Sequence, residues 1–173
     1  MAYNYDKLYA TTPDALGTPT DVLVSFFERL ADPSLSVLDI GCGQGRDALF
    51  LGRLGHSVHG VDTSLHGVRD IVQTAKREGL SVTAEVVDLC DYCPAQNFDV
   101  LLSDRTLHML SPEDQSNVLT RLLAYVKDGG WVLIADERSN LPRFRAVFED
   151  DDREWSTVTD TRGYLFVKQA QSS

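Results

Sequence analysis

Val37-Leu38-Asp39-Ile40-Gly41-Cys42-Gly43-Gln44-Gly45-Arg46 is the stretch whose reading decides the fold. A short apolar run, Ser36 to Ile40, leads into glycines at alternate positions, and a helical pattern opens at Arg46; the pattern predicts a buried strand that turns directly into a helix. Backbone without Cβ atoms turns sharply there and lets a ligand come close, while the first turn of a helix presents amide donors.

Working outward, the same alternation repeats. Arg46 to Leu54 predicts a helix stopped by Gly55, and Val58 to Val61 a second strand ending at Asp62. Ser64 to Glu78 predicts a helix with Val68, Ile71, Val72 and Ala75 on one face, closed by Gly79. Leu80 to Val87 and Phe98 to Ser103 read as the third and fourth strands. Ser111-Pro112-Glu113-Asp114 is a capped helix start, followed by a stripe of Val118, Leu119, Leu122, Leu123 and Val126. Gly129-Gly130 is the expected stop, Trp131 to Ala135 the fifth strand, Phe144 to Phe148 a short helix, and Glu154 to Thr159 with Gly163 to Lys168 a terminal hairpin. Upstream, Leu23, Phe26, Phe27 and Leu30 mark an amphipathic helix capped at Thr18-Pro19 and separated from the first strand by Asp32-Pro33.

Repeated β-α units demand right-handed crossovers and a parallel sheet with both faces covered. The expected fold is α/β: a doubly wound, Rossmann-like three-layer α/β/α sandwich on a mostly parallel seven-stranded sheet, with an antiparallel C-terminal hairpin strand. Residues 1–173 are expected to form one domain: 1–33 an N-terminal cap and helix, 34–137 the cofactor-binding core, 138–173 the short helix and hairpin. A chain of 173 residues buries about two thirds of its unfolded surface without disulfides or metal.

Composition narrows the function. Hydrophobic residues at 43% and charged residues at 24% are ordinary globular values. A net charge of -10 argues against nucleic acid as partner. The apolar runs are too short to span a membrane, and the Met1-Ala2-Tyr3 start lacks a basic, then apolar, leader, so the expectation is a cytoplasmic protein. Cys42, Cys90 and Cys93 cannot all pair and are expected as free thiols; Cys90-x-x-Cys93 lacks the further ligands of a zinc site, and no metal is expected.

In a doubly wound sheet, ligands sit outside the carboxyl ends of the strands. The glycine loop after the first strand suits the carboxylate end of methionine. A dinucleotide is the rival, but its G-x-G-x-x-G pattern wants glycine where Arg46 stands; the third glycine comes one residue early, which argues against a pyrophosphate. Asp62 is placed to accept from ribose hydroxyls in either case. Asp88-Leu89, after the third strand, is placed to meet an adenine through a carboxylate and a backbone amide.

Taken together, the run Val37 to Gly45, Asp62, Asp88, Phe98-Asp99 and Lys127-Asp128-Gly129-Gly130 resembles, in order, the motifs of class I S-adenosylmethionine-dependent methyltransferases. Gly43 to Ala48 and Gly55 to Asp62 look most like the tellurite-resistance-type small-molecule enzymes. The resemblance implies S-adenosylmethionine as cofactor and S-adenosylhomocysteine as product. It puts Gly41, Cys42, Gly43 and Gly45 at the methionine half, Asp39 at its amino group, Asp62 and Thr63 at the ribose, and Asp88, Leu89 and Ser103 around the rest. Tyr9, in a leader that folds over the cofactor in relatives, either contacts the methionine end or packs as a core aromatic.

On the acceptor side, Asp104, Arg105 and His108 follow the fourth strand, and Glu137 and Arg138 the fifth. Arg105 and Arg138 either face an anionic acceptor as a pair of forks or are solvated and paired with Asp104 or Glu137. His108 is either a general base or a packed, hydrogen-bonded histidine. Nothing like Asn-Pro-Pro-Tyr follows the fourth strand, which by resemblance disfavours base amines and glutamine and leaves small anionic or soft nucleophiles. Asp128 stands where the family has proline. The short stretch Asp136 to Arg153 leaves an acceptor pocket that is open or completed by a second copy, a homodimer. The competing functions are a non-catalytic S-adenosylmethionine-binding regulator and an NAD-dependent oxidoreductase.

Overall fold

The structure, a computed structural model, describes residues 4–30 and 34–171. Met1-Ala2-Tyr3 and the Asp32-Pro33 break lie outside the described residues. Contacts group the chain into two compact units, Met1–Asp88 and Leu89–Ser173.

The first unit runs α1 (Tyr5–Thr11), α2 (Asp21–Arg29), β1 (Ser36–Ile40), α3 (Arg46–Arg53), β2 (Ser57–Asp62), α4 (Leu65–Glu78) and β3 (Val82–Val86). β1 pairs parallel to β2, Val37 opposite Val58 and Ile40 opposite Val61, and β2 parallel to β3. Val37, Leu38 and Ile40 are all at most 1% exposed, the continuous burial of a strand covered on both faces. The α2 cap is Thr20, whose hydroxyl accepts from the Leu23 amide, and not Thr18. On α4, Val68, Ile71 and Ala75 are buried as expected, but Val72 is exposed because the helix rests on the 68-71-75 line.

The second unit runs β4 (Phe98–Asp104), a 3-10 turn (Leu107–Met109), α5 (Pro112–Leu123), β5 (Val126–Ala135), α6 (Leu141–Asp150), β6 (Trp155–Thr161) and β7 (Tyr164–Gln169). Ser111 caps α5: its hydroxyl accepts from the Asp114 amide and donates to the Asp114 carboxylate. Two expectations fail here. Val126 belongs to β5, not to the α5 stripe, and Gly129-Gly130 lie inside that strand, not at a helix end. Phe98 pairs with Val126 but Val100 with Trp131, so the segment that carries Asp128 and the glycines bulges between them. The acidic run Glu149 to Asp152 ends α6, and Asp151 accepts from Arg153 and from the Trp155 ring. The hairpin strands continue to an Arg162-Gly163 turn, both at positive φ (49° and 95°), the geometry of a two-residue hairpin turn.

The seven strands are ordered β3-β2-β1-β4-β5-β7-β6, mostly parallel, with β7 antiparallel to both β5 and β6. This is the Rossmann-like α/β fold expected from the repeats.

Gly67 in α4 is required by close approach: a Cβ there would collide with the Gly43 carbonyl and crowd the Tyr9 ring at 3.1 Å. Gly67→Ala is expected to cost about 1–3 kcal/mol, because backbone cannot yield as a side chain can. Exposed Lys76→Ala on the same helix should stay within about 0.5 kcal/mol. Urea unfolding midpoints check both.

Candidate functional site

In the first unit the glycine loop leaves β1 with Gly41, Gly43 and Gly45 at φ 71°, 53° and 87°. That run of left-handed backbone is the reason for glycine at alternate positions. Gly45 is the N-cap of α3, and a Cβ there would lie 2.7 Å from Ile71, so this glycine also provides close helix packing. Four amides of the loop have partners within the unit. Those of Gly41 and Cys42 donate to the Val61 carbonyl, that of Gly45 to the Cys42 carbonyl, and that of Gly43 to Asp62 at 2.9 Å.

Asp62 ends β2 and takes one hydrogen bond on each oxygen, from Gly43 N on Oδ2 and from Ser64 N on Oδ1 at 2.8 Å. A carboxylate offers about four acceptor sites, so two remain for a pair of hydroxyls. Thr63 beside it is exposed. Asp39, 2% exposed, pairs in register with Gly60. Cys42 fills the space where Gly60 has no side chain, and burial pushes its thiol well above the ordinary range; its side chain is packing, not chemistry. Arg46 folds back on Asp47 in a bidentate pair with its shortest contact at 2.6 Å.

Tyr9 is 7% exposed, and its hydroxyl oxygen lies 2.7 Å from where a Gly43 Cβ would be. Burial, with Asp62 nearby, pushes its phenol up, so it remains a neutral donor. The leader carrying it is tied down by residues whose role the sequence reading missed. Gln44 accepts from Ala15 N at 3.0 Å and donates to the Thr12 and Tyr9 carbonyls and to Asp70. Asp6 accepts from Ser64 Oγ at 2.7 Å and from the His66 amide and ring at 3.0 Å, which holds its carboxyl down at about 2, the Ser64 bond being the largest cause. Asp88 is exposed beyond β3.

In the second unit Leu89 is buried and its carbonyl accepts from the Arg121 guanidinium, which also reaches the Tyr92 carbonyl. Cys90 and Cys93 are exposed free thiols. Ser103, 1% exposed near the end of β4, has a buried hydroxyl with no hydrogen-bond partner among the described residues. An orphaned buried hydroxyl at a strand's carboxyl end is what a bound ligand would satisfy. In the first unit, the two open acceptor sites on Asp62 fit the ribose hydroxyls of S-adenosylmethionine.

Arg105 follows β4 at φ 59°, unusual for a residue with a Cβ, and its amide donates to the Ala135 carbonyl at 2.8 Å. Its side chain and those of Glu137 and Arg138 are exposed, and Asp104 is half-buried. The residue that organises this side is Asp136, just past β5. Its side chain is fully buried and accepts from Glu137 N and Asn140 Nδ2 at 2.8 Å on Oδ1, and from His108 N at 3.0 Å on Oδ2. A carboxylate directly after a parallel strand was the available signal for it, as it was for Asp62.

Residues 37–130, more than half of the chain, match the methyltransferase domain family. With the fold above, that match places the chain in the class I, S-adenosylmethionine-dependent methyltransferases, and the chain belongs to the methyltransferase domain family, near the TehB type. It is 29% identical over 98 residues to the "Probable S-adenosyl-L-methionine-dependent methyltransferase TehB" of Haemophilus influenzae, covering 57% of the chain and 34% of that protein. It is 30% identical over 121 residues to "Hemagglutinin 1" of Eikenella corrodens, covering 66% of the chain and 40% of that protein. The chain thus spans two fifths or less of the length of these curated relatives. A TehB-like S-adenosylmethionine-dependent methyltransferase from Corynebacterium glutamicum superposes with a TM-score of 0.75 at 19% identity, covering 97% of this chain and 98% of that one.

Two outcomes are expected of the leader. Gln44→Ala should speed amide exchange at Ala15 at least tenfold, about 1.4 kcal/mol of local opening, while β1 amides stay protected. Because the Asp6 carboxyl lies below its ordinary 3.8 in the folded chain, its tie is complete above that pH and is lost as pH falls through about 2. An Asp6 carboxyl NMR titration with a midpoint near 3.8 would contradict this.

Proposed function

We propose that the protein transfers the methyl group of S-adenosylmethionine to a small acceptor, anionic or a soft nucleophile. The observation that carries the reading is the Asp62 carboxylate at the end of β2, fixed to the Gly43 amide of the loop and still able to accept from two hydroxyls. It lies inside the segment that matches the family.

When bound, S-adenosylmethionine supplies an activated methyl on a sulfonium. The chain's task is then to bind, align and exclude water. In this reading Asp62 and Thr63 hold the ribose, Asp39 and the backbone of Gly41, Cys42, Gly43 and Gly45 receive the methionine half under Tyr9, and Asp88, Leu89 and Ser103 complete the cofactor contacts. Asp104, Arg105, His108 and Arg138 address the acceptor, the arginines as anion-matching forks. Residues 1–173 act as one methyltransferase domain, in the cytoplasm, on small molecules and not on nucleic acid, and as a homodimer if a second copy closes the acceptor side. Among the described residues no helix is long and apolar enough to cross a membrane.

Calorimetry with S-adenosylhomocysteine should show one site, and Asp62→Asn should weaken it about 10–100-fold, the loss of one or two charge-assisted hydrogen bonds. No heat of binding with folded wild-type protein, or thermal stabilisation by NAD instead, would reverse the reading.

A further inference from the structure

Asp136 and His108 carry an arrangement that the family match does not assign. The side chain of Asp136 is fully buried. Its Oδ1 is occupied by Glu137 N and Asn140 Nδ2, and its Oδ2 by a single donor, the amide of His108. A buried carboxylate oxygen with one donor has acceptor capacity left. His108 Nδ1 lies 3.7 Å from that same Oδ2, buried and with no hydrogen-bond partner among the described residues. One buried group has acceptor capacity left and the adjacent one has no partner, and closing that gap to about 2.8 Å serves both. Catalytic hydrogen bonds are often long before substrate binds.

The rest of the geometry fixes the turn that carries the ring. His108 sits in the 3-10 turn Leu107–Met109, anchored by fully buried Leu107 and closed by Met109 N to the Thr106 carbonyl. Its side chain is 25% exposed while Nδ1 is covered, so the exposed part of the ring lies elsewhere than Nδ1.

Resting on the methyltransferase reading above, we propose that Asp136 is a positioning residue that holds His108 as the Nδ1–H tautomer, leaving Nε2 bare to take a proton from a protic acceptor, a thiol or phenolic hydroxyl. The acceptor's sulfur or oxygen forms its bond to the methyl carbon as the sulfonium C–S bond breaks, that electron pair staying on the departing thioether sulfur. The acceptor proton passes to His108 Nε2, the imidazolium is balanced by the Asp136 carboxylate, and the proton leaves to water.

The first test needs no turnover. Nitrogen-15 imidazole spectra of the wild-type protein at pH 8, with His108 assigned through His108→Gln, should show the proton on Nδ1; a neutral ring protonated on Nε2 overturns the proposal whatever the variants do. Methyl transfer from labelled S-adenosylmethionine is then followed with 2-mercaptoethanol, 4-hydroxybenzoate and selenite. His108→Gln and Asp136→Asn should lower kcat on the thiol or the phenol about 100-fold or more with KM and S-adenosylhomocysteine affinity unchanged. The selenite dianion attacks through its selenium lone pair and has no proton to give, so its methylation should fall far less in the same variants than that of the thiol or the phenol. Wild-type rates in His108→Gln on a protic probe, or methylation of selenite alone, overturn the dyad but leave the methyltransferase reading standing. Absence of S-adenosylhomocysteine binding overturns both.

Discussion

The hydrogen bond from the Gly43 amide to Asp62 is the constraint on which the first unit depends. It ties the loop after β1 to the end of β2, and it is made possible only by left-handed backbone on either side of it. The same bond orients the carboxylate: one oxygen is held by the loop, the other by the start of α4 through Ser64 N, so neither can rotate away from the strand end. A ligand that approaches this carboxylate therefore meets a preset acceptor rather than a mobile side chain, which lowers the ordering cost of binding.

The leader is fixed by the same economy of parts. Gln44 lies between two of the loop's glycines, and its amide reaches Thr12, Ala15 and Tyr9 of the leader as well as Asp70 of α4. A single side chain thereby joins the loop, the helix and the segment that brings Tyr9 over Gly43. Asp6 repeats the device at the other end of α1, where its carboxylate meets the N-terminus of α4 at Ser64 and His66. Both ties are polar, the one at Gln44 buried and the one at Asp6 part-buried, whereas β1 is held by apolar contacts on both faces.

What was legible in the sequence followed from periodicity and from glycine. Ser36–Ile40 appears where the apolar run placed it, and α3 and α4 begin and end at Gly45, Ser64 and Gly79 because caps are local chemistry. The Gly129-Gly130 reading failed because two glycines signal a break of some kind, while the bulge in β5 that they form is decided by pairing with Phe98 and Val100. Thr18-Pro19 fits the cap pattern, but the cap is decided by a hydrogen bond, and it is Thr20 that accepts from Leu23 N. For the site, the placing of Asp62 at a strand end and of the glycines in the loop after β1 is readable because both are set by position along the chain. Gln44, Asp6, Arg121 and Asp136 act through partners from 26 to 60 residues away, and no short window of sequence contains both ends of such a bond.

Asp136 is also the residue whose removal has two separable effects. It accepts from two backbone amides and from Asn140, so it holds the turn after β4 to the turn before α6 irrespective of chemistry. A buried carboxylate is a costly choice for a purely structural tie, since a neutral amide side chain has one oxygen that also accepts backbone donors without the desolvation of a charge. Retaining the charge is sensible where a positive charge forms next to it, and among the described residues the ring placed to carry one is that of His108, 3.7 Å from Oδ2. The exposed Arg105 and Arg138 are already charged and gain nothing transient from it. The asymmetry of the Asp136 carboxylate, Oδ1 with two donors and Oδ2 with one, therefore has a chemical use as well as a structural one.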